Sequence, residues 1–367
     1  MRALLSTRTQ DGASLRPHFP LTNPRAVSAR APPAGPPRNF TVASEHRFAL
    51  RAVFPITGCG MERIPYLGKE LLRWQVGRST FLALPELGAR LMNWNLELGD
   101  GTLRDVLYWP EIDSLEDFAK VRGGNPILFP FAGRCFEGGE RQYWRAPDGA
   151  RLRMPMHGLA RQGDFSLVRA DAGGFSALFH PSAADCTIYP FDYEFTVDYR
   201  FEPLGFYVEL ALRNLGRTPI PWSAGHHFYF TIPWTDGLTR DDYAVRIPSR
   251  RVAKQDPATG RLVDQPHFTA EERLSNPALL DTIHLNLAGN SAIVTERTTG
   301  NTLRLRIGTS RTPPADTAVL TWTEKPESPF FCVEPWMGPP NAPGNALGVH
   351  LVEPGQTPRF LVEVSLR

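Results

Sequence analysis

The sequence has almost no imbalance of charge: 40 lysines and arginines stand against 38 acidic residues, a formal net charge of +2. Such a chain creates no field that would draw it to nucleic acid or to an anionic membrane, so neither is expected as a partner. Long apolar runs are missing as well. The most apolar stretch, PILFPFAG at 126 to 133, is short and broken by Pro130, and no membrane span is expected. The four cysteines (Cys59, Cys135, Cys186, Cys332) lie far apart with no Cys-x-x-Cys pair, which argues against a structural zinc site and against a disulfide-rich secreted scaffold. Reduced thiols and a cytoplasmic location are the corresponding expectation. Helical periodicity is nearly absent: only SLEDFAK at 114 to 120 and TAEERL at 269 to 274 suggest a turn or two.

What is present is a supply of aromatic residues, 22 Phe, 9 Tyr and 8 Trp, in a chain with 42% hydrophobic residues, enough for a large core. Residues 1 to 42 stand apart, because they are rich in Arg and Pro with one acid, Asp11, in the first 38; they are expected to be a disordered extension. Thereafter the text alternates. GFYVELALRN (205 to 214) places Phe206, Val208, Leu210 and Leu212 on one face, and YEFTVDYRF (193 to 201) does the same with Tyr193, Phe195, Val197, Tyr199 and Phe201. Similar runs at 79 to 84, 174 to 180, 302 to 307, 317 to 323 and 359 to 366 are separated by turn signals such as PDG, ATG and TTG. The fold class is therefore all-β: one large antiparallel β-sandwich over 43 to 367 with few short helices.

In such a fold a site must be assembled from different strands and loops, so polar residues embedded in apolar or Gly/Pro-rich text are the candidates. Four segments qualify: NPILFPFAGR (125 to 134), MPMHGLAR (154 to 161), SAGHHFYF (223 to 230) and FFCVEPWMGPPNA (330 to 342). They contribute Arg134, His157 and Arg161, the adjacent His226 and His227, and Glu334 with Trp336. Glu334 follows four residues that read as a buried strand, which Pro335 is expected to end, and a carboxylate there is costly unless used or paired. If 226 to 232 is extended, His227 and Tyr229 share one face while His226, Phe228 and Phe230 share the other. The histidines match no standard metal-ligand spacing, so no metal is expected, and no cofactor is required.

Taken in this order, the segments resemble the aldose 1-epimerase (galactose mutarotase) family, more closely its bacterial branch with an HGFAR-like loop, here HGLAR. The resemblance implies a galactose mutarotase-like supersandwich and a small-molecule sugar as partner. It also implies roles. The family's His-x-x-Phe pattern falls on His227 and Phe230, making His227 the general acid and Glu334 the general base. Arg134 and His157 fall on sugar-contacting positions, Arg161 completes the loop, and Trp336 or Trp144 would stack on a sugar face. An imidazole with a pKa of about 6.5 and a carboxylate raised by burial would suit those roles. The family's substrate aspartate finds no clear counterpart; Asp236 and Asp256 are unassigned. Two other readings stand beside this one: a hexose-6-phosphate mutarotase, with Arg141, Arg145 and Arg161 holding the phosphate, and a non-catalytic carbohydrate-binding sandwich. Oligomeric state and sugar identity are not written in the sequence.

Overall fold

The computed structural model describes residues 60 to 266 and 271 to 367; the extension at 1 to 42 lies outside these. Alternation produces strands where the sequence leads one to expect them. Tyr193–Glu202 and Gly205–Asn214 pair in ten-residue register, from Tyr193 opposite Asn214 to Glu202 opposite Gly205, around a two-residue turn. Their inward residues, including Phe195, Val197, Tyr199, Phe206, Val208 and Leu210, are fully buried, each contributing roughly 1.5–3 kcal/mol relative to exposure.

Among the described residues this hairpin belongs to a nine-stranded antiparallel sheet that packs on a thirteen-stranded one. Trp74, Phe81 and Trp94 of the larger sheet meet Phe175, Phe201 and Phe206 of the smaller in a layer of stacked and edge-on rings, with Phe81 and Phe201 centroids 4.3 Å apart. The all-β sandwich is therefore as expected. No helix of the described residues is long and apolar enough to cross a membrane.

SLEDFAK yields a single turn, the three-residue 3₁₀ helix Phe118–Lys120. Local expectations fail at two places, each for a tertiary reason. Of TAEERL, 269 and 270 lie outside the described residues, and Glu272–Arg273 forms a strand instead, paired to Ala244 and Val245. Sheet pairing outweighs a weak helical propensity there. The strand Phe330–Trp336 runs through Pro335 rather than ending at it. Pro335 pairs with Val319 on one side, and on the other the offset that sets Gly225 opposite Trp336 puts it opposite His226, where the pairing breaks off before Tyr229–Thr231 and a missing N–H is tolerated. The helix Ala183–Ile188 was not anticipated, although Ser182 and Asp185 form a capping box legible in the text.

Phe330–Trp336 is the central element. Phe331 and Val333 point into the sandwich core, while Phe330, Cys332, Glu334 and Trp336 occupy the outer face and are covered there by loops. One covering loop is MPMHGLAR. His157 and Gly158 both take left-handed backbone conformations, φ +68° and +77°. That reversal lets the His157 N–H donate to the Gly133 carbonyl (2.7 Å) and the Leu159 N–H donate to the Phe129 carbonyl (2.6 Å). A Cβ on Gly158 would sit 2.0 Å from the Phe129 carbonyl oxygen. Gly158→Ala should therefore destabilise the protein by roughly 3 kcal/mol, read as a fall in the urea midpoint, because left-handed strain and backbone overlap add.

Candidate active site

The register across the central strand assembles the site. Gly225 pairs with Trp336 and Tyr229 with Cys332, and the same offset carried across the gap sets His227 opposite Glu334. His227 Nε2 lies 3.4 Å from Glu334 Oε1, though the two residues are 2% and 8% exposed for Glu334 and His227. Two further atoms, Glu334 Oε2 and His227 Nδ1, are buried with no hydrogen-bond partner. Buried polar atoms are seldom left so.

Strand alternation separates the adjacent histidines. His226 turns into the core, stacked on Phe228 at 5.3 Å and Phe360 at 5.9 Å, and its Nδ1 accepts from the Asn125 amide at 3.1 Å. His227 turns outward and stacks on Tyr229 at 4.6 Å, with Trp322 edge-on at 5.7 Å. Asn125 ties the two together, because its Oδ1 accepts the His227 backbone N–H at 3.1 Å.

Burial sets the protonation of the pair. It lowers the His227 pKa to about 3, helped by the cationic Arg161 and Arg90, and it raises Glu334 well above the ordinary carboxylate range, helped by the negative charge of Asp281. The expectation of an imidazole near its ordinary value is thus corrected, since removing a cation from water costs more than nearby dipoles return. Both shifts favour the uncharged forms of the pair.

His157 joins them, its ring centroid 5.5 Å from that of His227 and 5.8 Å from Trp336. Its Nδ1 accepts the Gly133 N–H at 3.1 Å, so the neutral ring carries its proton on Nε2 as a donor. Burial foremost, then His227, Arg161 and Arg134, hold its pKa well below the usual histidine range. Arg161, half-buried with Nε unpartnered, has its pKa lowered by burial. Arg134 is solvent-exposed at the rim; Glu334 faces His227, not this arginine. Trp336 is buried, with its indole N–H donating to the His226 carbonyl at 3.1 Å.

Other candidates are excluded by position. Trp144 is core, packed on Phe131 and Tyr189. Asp256 caps its own turn through Ala258 and Thr259, and Asp236 is exposed in a turn. Alternation in the sequence already sets Tyr229 on the face of His227, but nothing in it singles out Trp322 or Asp281. Trp322 stands opposite Cys332 and follows once the register is known. Asp281, at a left-handed φ of +51°, feels Arg134 and Lys254 and in turn raises Glu334, a proximity with no local sequence signal.

The fold has counterparts among solved structures. The fold is similar to that of a galactose mutarotase-like protein from Clostridium acetobutylicum, with TM-score 0.69 and 14% identity over 84% of this chain and 98% of that one. A galactose mutarotase related enzyme from Lactobacillus acidophilus gives TM-score 0.65 and 18% identity over 81% and 97%. A Synechocystis protein gives 0.64 and 20% over 83% and 99%. No curated protein sequence matches the chain. The family model for aldose 1-epimerase matches residues 70 to 358, most of the polypeptide, and on that ground the chain belongs to the aldose 1-epimerase family.

Proposed function

We propose that the protein is a mutarotase that interconverts the α and β anomers of a free hexose by opening and reclosing the ring. The observation that carries this reading is the buried carboxyl and imidazole at 3.4 Å, each with a further atom left unpartnered. Ring opening requires a proton to leave the anomeric hydroxyl and another to reach the ring oxygen. The resting pair supplies both acts from one shared proton. Passing from Glu334 to His227 across the gap, it leaves a carboxylate to take the hydroxyl proton while the imidazolium gives its own to the ring oxygen. After rotation about C1–C2 the same groups run in reverse, and a positioned acid or base contributes about 10²–10⁴-fold.

His157, as a neutral donor, Arg161 and Arg134 would hold hydroxyls, and Trp336 would form the apolar floor. Binding alone has no need of an acid and a base together, which tells against a purely sugar-binding sandwich. The phosphate reading loses two of its three arginines: Arg141 donates to the Pro257 carbonyl and Arg145 pairs with Glu137, leaving Arg161. The free thiols of Cys135, Cys186 and Cys332 suit a reducing cytoplasm.

Polarimetry on freshly dissolved α-D-glucose and α-D-galactose, each with and without a 6-phosphate, tests the assignment. Acceleration of a free sugar is expected; none across the panel would leave only the binding reading. Glu334→Gln and His227→Asn should each lose about 10²–10⁴-fold in kcat with the fold retained, whereas His226→Asn should cost less than about tenfold. In chelator-treated buffer the rate should show no inflection at the ordinary histidine pKa of about 6.5. It should fall on the acid side only as His227, lowered to about 3, gains a proton, and on the alkaline side as Glu334 loses one. A limb centred on the ordinary histidine value would contradict the neutral pair.

A further inference from the structure

We propose that His227, Cys332 and Glu334 also form a binding site for a borderline-soft divalent cation, Zn²⁺ in the first instance, at the acid/base pair itself. Cys332 lies two residues before Glu334 on the same outer face of Phe330–Trp336, and its cross-strand neighbour is Tyr229. One ligand atom from each of the three residues lies within 4.8 Å of the other two, and all three are buried.

The distances fit the ion. Tetrahedral zinc with nitrogen and oxygen ligands at about 2.0–2.1 Å has an N···O edge of about 3.4 Å. His227 Nε2 and Glu334 Oε1 already stand at 3.4 Å, so only the thiol has to close in. The donors are unspent: the Cys332 thiol is free, and Glu334 keeps a buried oxygen with no partner. Charge fits as well. A thiolate, a carboxylate and a neutral imidazole sum to the opposite of a divalent cation, giving a neutral site in a dry place. Binding releases the thiol and carboxyl protons to solvent, as thiolate ligation requires. A thiolate selects Zn²⁺ over Mg²⁺ or Ca²⁺. Three protein ligands leave the fourth tetrahedral position to water, and the His227 side chain is 10% exposed.

Cation and sugar then exclude one another, since a coordinated His227 and Glu334 cannot exchange protons. That inhibitory limb rests on the mutarotase reading; binding itself does not.

The test titrates the chelator-stripped full chain with Zn²⁺ by calorimetry and with Co²⁺ by absorption, without sugar. One ion per chain and a thiolate-to-cobalt charge-transfer band are expected. Cys332→Ser and Cys332→Ala should lose the band and weaken Zn²⁺ binding by about 100-fold or more. They should keep metal-free mutarotation while becoming resistant to Zn²⁺. No binding to the wild-type chain, binding without the charge-transfer band, or affinity unchanged in a folded Cys332 variant would each overturn the proposal. Zinc binding in a chain that accelerates no sugar would uphold the site and sink the mutarotase reading alone.

Discussion

Everything in the site follows from one constraint: a glutamate is held on a strand with no exposed face, and the ladder places a histidine opposite it. A carboxylate alone there would be prohibitively costly, and so would an imidazolium. A neutral carboxyl beside a neutral imidazole is not. The strand register brings the two within proton-transfer range, and burial decides how many protons they carry between them.

The surroundings keep that arrangement in place. Tyr229 stacks on the His227 ring, Asn125 holds its backbone N–H, and the loop bearing His157 is pinned by reciprocal bonds with Gly133. Cationic groups are abundant nearby yet kept off the pair: Arg90 is fully buried but donates to the Val121 and Arg161 carbonyls and lies over the Phe118 ring. Their positive field favours neutral histidines, so that in the proposed reaction His227 becomes an acid only by taking the proton of Glu334.

Much of this was legible in the sequence because strand alternation is a strict period of two. It separated His226 from His227, and it set Phe195, Val197 and Tyr199 inward with their partners on Gly205–Asn214. Four polar segments in apolar text contain Arg134, His157, Arg161, His227, Glu334 and Trp336, and the fold brings His157, His227, Glu334 and Trp336 together with the charge of Arg161 close by. What stayed hidden depended on contacts between distant segments. Trp144 and Trp336 look alike in sequence, but only the second lies on the outer face. Asp281 sits in a turn whose text carries no sign of the carboxyl it approaches. The histidine's lowered pKa was hidden too, since burial from both faces and two nearby guanidinium groups belong to the assembled fold.

The most direct test of the account is a double-mutant cycle on kcat with His227→Asn, Glu334→Gln and the two combined. Groups that pass one proton between them fail together, so the double variant should lose little more than either single one. Losses that multiply would mean that the two act independently, and the shared-proton pair would be wrong.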